Sequence, residues 1–143
     1  MVRDIILIAG TKTKLTTAAP ARELYTGSLF RKARAYADQS GVPWFIISAE
    51  HGLVRGENVL EPYDCSQGDQ SARARRLWAA RVAAQLEQAV GPLSSKTIEG
   101  DAGSRYTAPL REELSARGAT MTEPLAGLGL GQRLAWYDHH AQT

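Results

Sequence analysis

Residues 43–64 read Pro43-Trp44-Phe45-Ile46-Ile47-Ser48-Ala49-Glu50-His51-Gly52-Leu53-Val54-Arg55-Gly56-Glu57-Asn58-Val59-Leu60-Glu61-Pro62-Tyr63-Asp64. The first part, Pro43 to Ser48, is a compact aromatic and β-branched run. With Gly41 and Pro43 marking its start, it reads as a buried strand. From Ala49 to Asp64 neither a helical nor a strand period holds. Yet the segment carries Glu50, His51, Arg55, Glu61, Tyr63 and Asp64. A connection this long in a small domain is either disordered or functional. Leu53, Val54, Val59, Leu60 and Tyr63 give it too much apolar surface for a disordered linker. It reads as an ordered loop that builds a site.

The rest of the chain supplies elements of alternating type. Ile5 to Ala9 is a continuous apolar run ending at Gly10, which suits a central parallel strand buried on both faces. A Thr/Ala/Pro-rich stretch follows, then a short helical turn over 21–25. A helix is expected from Ser28, the N-cap candidate, with Leu29, Ala33, Tyr36 and Ala37 as its apolar stripe. A long helix spans about 69–90, with Ala74, Trp78, Val82, Leu86 and Ala89 on one face, and is stopped by Gly91-Pro92. Residues 96–99 read as a short strand that ends in the loop Gly100–Gly103. The helix after it carries Tyr106, Leu110 and Leu114, and Pro109 either sits in its first turn or kinks it. A weak strand over 119–123, a glycine-rich loop over 124–131 and a last helix over 132–139 complete the chain. This order predicts one α/β domain over 1–143, a small three-layer sandwich with a mainly parallel, roughly four-stranded sheet. Ligands of such sheets bind outside the carboxyl ends of the strands. The strand-exit loops are therefore expected to meet at one pocket, with Lys12, His51 and Asp101 around it.

Composition narrows the classes. The chain has 143 residues, 43% hydrophobic and 22% charged, ordinary for a globular domain with one sizeable core. Seventeen Lys and Arg against 15 Asp and Glu give a formal charge of +2, too little to argue for nucleic acid by bulk charge. A single cysteine, Cys65, excludes an internal disulfide and a multi-cysteine zinc site. No apolar run approaches the roughly 20 residues that span a membrane. The apolar stretch after Met1 is too short for a secretory signal. A cytoplasmic location is the default expectation, with no cofactor, no metal and no membrane partner.

Several residues at strand exits have chemistry to offer. Lys12 and Lys14 alternate with threonines and would hold a phosphate as point charges, although the spacing is not that of a P-loop. His51 suits a general base, a hydrogen-bond partner for a base edge or a structural donor within its loop. Glu61, Asp64 and Asp101 are carboxylates at or near strand exits. They would divide acid and base roles or stabilise a cationic transition state, or else cap turns. The Gly127–Gly131 loop would present backbone N–H groups to an anion or allow close packing of the last helix. Arg73, Arg75 and Arg76 would touch nucleic-acid phosphates or form a solvated face. His139 and His140 lack zinc-ligand spacing.

Taken together, the strings Lys12-Thr13-Lys14-Leu15, Ala19 to Tyr25, Ser28 to Arg34 and Trp44 to Asp64, with the pieces Gly100 to Tyr106 and Pro124 to Gly131, resemble an uncharacterised bacterial and phage family. Its members share Lys-Thr-Lys and Ser-Ala-x-His-Gly-Leu…Pro-Tyr-Asp motifs. The chain departs from that pattern at Ala9-Gly10, where Ser-Cys is common, at Gly27, where Ser is common, and at Glu50, where Lys is common. Ser48 to Tyr63 is also similar to the Ser-x-x-x-Gly-Leu…Pro-Tyr segment of the DNA-binding YaaA family. A like pattern occurs in archaeosine-synthase-type proteins, which handle nucleobases. The resemblance implies a nucleotide or nucleoside substrate, or nucleic acid.

Cleavage of an N-glycosidic bond suits these residues. It needs an anion clamp, a base pocket and a carboxylate facing positive charge on the sugar. The expectation is an N-glycoside hydrolase or transferase. Asp64 is the first catalytic candidate, with Glu61 and His51 after it. Lys12, Lys14 and Arg31 would clamp phosphate, Tyr25, Tyr63 or Tyr106 would stack on the base, and Ser48 and Asp101 would complete the substrate site. The alternative is a non-enzymatic DNA- or RNA-binding protein resembling YaaA.

Overall fold

The computed structural model describes residues 3–140; residues 1, 2 and 141–143 of the expected domain lie outside them. The strands are β1 (Ile5–Ala9), β2 (Ala19–Pro20), β3 (Trp44–Ser48), β4 (Gly52–Val54), β5 (Val59–Leu60), β6 (Thr97–Asp101) and β7 (Thr120–Thr122). The helices are α1 (Ala21–Leu24), α2 (Ser28–Gln39), α3 (Ala72–Val90), α4 (Ser104–Ala116) and α5 (Leu130–His140). Five strands form one sheet in the order β4-β3-β1-β6-β7, and β2 pairs with β5 in a small sheet of its own. β3, β1, β6 and β7 run parallel, while β4 folds back antiparallel on β3.

The apolar run Ile5–Ile8 occupies the middle of the sheet, buried on both faces as a central parallel strand should be. Alternation then divides the side chains. Ile5, Leu7, Phe45, Ile47 and Ile98 face α3 and α4, where they meet Trp78, Val82, Leu86, Leu110 and Leu114. Ile6, Ile8 and Ile46 face α2 and α5, against Phe30, Ala33, Ala37 and Tyr137. The result is three layers, helices on each side of a mainly parallel sheet. α5 is fastened to α2 by the Lys32–Asp138 ion pair and by the packing of Tyr36 on Trp136 and Tyr137.

Several local expectations change. The sheet has a fifth strand, because Gly52 at φ +74° turns the chain straight back along β3. A Cβ there would lie 2.3 Å from Gln85 Oε1 and would displace the side chain that accepts from Leu53 N, but the positive φ is the stronger reason for glycine. The segment 49–64 thus contains β4 and β5. The N-cap of α2 is Gly27, not Ser28, and it has no side-chain cap bond. The long helix begins at Ala72, where Ser71 Oγ accepts from Ala74 N; residues 67–69 form a separate 3₁₀ turn. Pro109 lies within α4 beyond its first turn, at the expense of the bond its missing N–H would make to Arg105. β6 extends to Asp101, so Gly100 and Asp101 are strand residues rather than loop.

Candidate functional site

From β1 the chain passes through α2 to β3 on one side of β1; after β3 it passes through α3 to β6 on the other side. The carboxyl ends of β1 and β6 therefore sit side by side while their exit loops leave to opposite faces of the sheet. That divergence opens a crevice, the usual ligand position in a doubly wound sheet. Two long loops wall it. The segment after β1 and the segment after β4 pair through Ala19↔Leu60 and Pro20↔Val59. Backbone bonds from Ala21 N to Asn58 O (2.7 Å) and Arg22 N to Gly56 O (2.9 Å) extend that seam.

The outer part of the crevice has a volume of about 190 Å³ and is lined by Gly10, Thr11, Lys12, Lys14, Tyr63, Asp64, Cys65, Ser66, Asp69 and Tyr106. Lys14 Nζ donates to Lys12 O (3.1 Å) and stands 4.3 Å from the centre of the Tyr63 ring. Partial burial holds its ammonium below the usual lysine range, opposed by the negative charge of Asp64. Asp64 is exposed, and among the described residues no hydrogen bond to its side chain is present. Pro62 before Tyr63 restricts the backbone at this point. Tyr63 is fixed from below: its hydroxyl accepts from Ser48 Oγ (2.8 Å) and shares a 2.5 Å bond with Tyr25 OH. Ser48 Oγ in turn accepts from His51 N (3.0 Å). Burial raises both tyrosines above the ordinary phenol value, so they act as neutral hydroxyls.

Behind Gly10, Thr11 and Tyr106 lies an inner chamber, also about 190 Å³, lined mainly by apolar groups from β1, α2 and α5. Asp101 is its acidic member and Arg133 its basic one. Asp101 is only 4% exposed. Its Oδ2 accepts from Tyr137 OH (3.0 Å), and its Oδ1 is buried with no hydrogen-bond donor among the described residues. Glu99, two residues earlier on the same face, accepts from Tyr36 OH (2.8 Å) and lies 3.6 Å from Arg3 Nε. Burial first, and then the charge of Glu99, push the Asp101 carboxyl up to about 8. Burial thus favours its protonated form, with Glu99 beside it as an acceptor for that proton.

The expected site residues thus separate. Lys12, Lys14, Tyr63, Asp64 and Tyr106 line the outer cleft, and Asp101 and Tyr106 line the inner chamber. Lys12, His51 and Asp101 do not surround one cavity. The His51 ring packs edge-on against Tyr63 at 5.1 Å and its carbonyl accepts from Arg81 (2.9 Å). It is outside the residues lining either space and supports Tyr63 from behind, as Ser48 does from within the core. Tyr25 is buried against Gly10 and Phe30, so it has no face free to stack on a ligand. Glu61 and Arg31 are exposed outside both linings. Arg75 and Arg81 brace loops through Gln67 O and Glu50 O. Asp69, Glu99, Arg133 and Tyr137 were not anticipated. Glu99 shares a face with Asp101 as i and i+2 of one strand, a relation hidden when the strand is read as ending at 99. Cys65 borders the outer cleft, with burial holding its thiol up. Among the described residues no group of three or more His, Cys, Asp or Glu could hold a metal ion, and no helix is long and apolar enough to cross a membrane.

Comparison with known proteins places the chain by family alone. Residues 5–139 match a family of unknown function, DUF6884, and the chain belongs to it. No curated protein and no solved structure matches.

Proposed function

We propose that this member of the family is a nucleotide- or nucleoside-processing enzyme that cleaves or transfers an N-glycosidic bond. The observation that carries the reading is the outer cleft at the strand crossover. It brings two ammonium groups, Lys12 and Lys14, together with the Asp64 carboxylate and the rings of Tyr63 and Tyr106. An anion clamp facing a carboxylate is the arrangement needed where a phosphorylated sugar develops positive charge at its anomeric carbon. In hydrolysis the C–N bond breaks and its electron pair leaves with the base. Water oxygen bonds to the anomeric carbon; one water proton goes to the base nitrogen and the other remains on the new sugar hydroxyl. Asp64, with no hydrogen bond holding its side chain, is available to stabilise the cationic sugar. Tyr63, held by Ser48 and Tyr25, forms a rigid wall beside it. The similarity of Ser48–Tyr63 to nucleobase-handling families supports the same substrate class.

The test is incubation of the purified protein with a panel of nucleosides, nucleotides and DNA, followed by separation of free base. Release of one base, lost in Asp64→Asn, is the expected result. Salt-sensitive retention of DNA with no base released from any substrate would replace this reading with a nucleic-acid-binding protein, because phosphate-dominated binding weakens steeply with salt.

A further inference from the structure

The inner chamber has no part in clamping phosphate or facing the sugar. We propose that it is a nucleobase pocket: one neutral, flat heterocycle lies among Leu29, Phe30 and Leu125, and Asp101 hydrogen-bonds its buried edge. This rests on the glycosidase reading above and supplies what the outer cleft lacks, a place for the base.

Four observations carry it. First, the chamber is about 190 Å³, small beside the roughly 300–1,000 Å³ of pockets that take drug-sized ligands. That suits one heterocycle but not a whole nucleotide. Second, its walls are apolar over most of their area, which favours a flat, weakly hydrated group over a sugar or phosphate. Third, Gly10, Thr11 and Tyr106 border both spaces, so the chamber adjoins the cleft of Lys12, Lys14 and Asp64, and the proposal seats the base with its glycosidic bond on that side. Fourth, among the described residues no donor reaches the buried Asp101 Oδ1, and the group beside it is another carboxyl, Glu99; a ligand in the chamber would give Asp101 a better-matched partner. Thr11, which borders both spaces, likewise has a buried Oγ1 with no partner among the described residues.

The protonation of Asp101 sets the kind of edge it reads. Glu99 beside it, Tyr137 from α5, Tyr36 from α2 bonded to Glu99, Arg3 near Glu99 and Arg133 at the chamber wall are the titratable or charged groups facing this pair. Their balance leaves Asp101 a neutral acid up to about pH 8. The acid donates its proton to a ring nitrogen or carbonyl of the base, and the Glu99 carboxylate is the competing acceptor.

Direct binding tests it. Calorimetry with free adenine, cytosine, guanine, hypoxanthine and uracil is run on the wild-type protein, Asp101→Asn, Asp101→Leu and Ala33→Leu. Ala33→Leu fills the chamber from α2, and thermal melting reports whether each variant folds. At least one base binds the wild type, and Ala33→Leu and Asp101→Leu weaken it by about tenfold or more, the scale of one lost hydrogen bond to a buried group. Wild-type affinity for a base that stays neutral falls between about pH 6.5 and about pH 9.5 as Asp101 ionises. Asp101→Asn, whose amide donates at every pH, binds at both. That pH contrast decides the matter even if the chamber-filling variants fail to fold. Failure of every base to bind, or equal binding by folded Ala33→Leu, overturns the pocket even if the wild type releases base from a nucleotide. Base binding of this pattern with no glycoside cleaved overturns the glycosidase reading and leaves the pocket standing.

Discussion

The two faces of the sheet have different chemistry. Under α3 and α4 the buried groups are almost all hydrocarbon: Ile5, Leu7, Phe45, Ile47 and Ile98 against Trp78, Val82, Leu86 and Leu110. Under α2 and α5 the same strands present Ser48, Glu99 and Asp101, and the helices answer with Tyr36 and Tyr137. A buried Leu, Ile or Phe stabilises by about 1.5–3 kcal/mol, whereas a buried carboxyl costs free energy unless it is paired or neutral. One face stabilises the fold. The other tolerates polar groups that a packed core alone does not require, and it is the face that opens into the inner chamber. The difference teaches that the buried polar groups lie on one side of the sheet, while the outer cleft at its carboxyl end also draws Tyr106 from α4 on the other side.

The largest effect that would break this division is Trp78→Ala. Trp78 is buried on the hydrocarbon face and donates from Nε1 to Ser48 O (2.8 Å). Loss of about 3–5 kcal/mol in urea denaturation is expected; a loss near zero would mean that this face is not the source of stability. Asp64→Asn should do the reverse. Its kcat falls at least about a hundredfold, equivalent to about 2.7 kcal/mol at the transition state, with an unchanged melting temperature. Unfolding instead would make Asp64 a structural residue. Third is Gly10→Ala, whose new Cβ would meet the Tyr25 ring at 2.6 Å. Overpacking of this kind costs about 1–3 kcal/mol, measurable by thermal melting, and it should displace Tyr63 through the shared hydroxyl bond.

The polar face also has a pH signature. The folded protein keeps the Asp101 proton from the ordinary 3.8 up to about 8, whereas the unfolded chain releases it near the lower value. Stability therefore falls as pH rises through that window and levels above it. The slope is at most about 1.4 kcal/mol per pH unit for one proton. Denaturation midpoints across the window should show the fall, and Asp101→Asn should flatten it. The smallest effect is Glu61→Gln, expected within about 0.5 kcal/mol of wild-type stability and with unchanged kcat. A drop in kcat would bring the exposed rim into the chemistry and blur the comparison.

Much of the fold was legible because its signals are local. The runs Ile5–Ala9 and Trp44–Ser48 are too apolar for anything but central strands, and the spacing Trp78, Val82, Leu86 fixes one face of α3. The antiparallel strand β4 was hidden because its three residues show no period; Gly52 and the Gln85 side chain that bonds Leu53 N lie 33 residues apart in sequence. The outer cleft was legible as strand-exit chemistry, and Lys12, Lys14, Tyr63 and Asp64 do share it. What sequence did not convey was depth. Nothing local distinguishes Tyr25, sealed against Gly10, from Tyr63, which lines the cleft. Nor did the residues after Glu99 reveal that the strand continues and carries Asp101 inside. The inner chamber is made by α5 closing over α2, a long-range packing event with no motif of its own.

The seam between β2 and β5 has a kinetic consequence. The cleft rim is held by a handful of backbone bonds: Ala21 N to Asn58 O and Arg22 N to Gly56 O join segments distant in sequence, while Leu15 N to Leu24 O and Thr26 N to Thr13 O close a local loop. Ala19, Ala21 and Leu24 anchor one side of the seam in the core, whereas Asn58 and Val59 on the other side are exposed, so the outer strand opens as a small unit without unfolding the sheet. Its amide hydrogens exchange with solvent together, and faster than those of β1 and β3. A ligand bridging Lys14 and Asp64 slows the whole set at once, because it ties both strands of the seam to the same molecule.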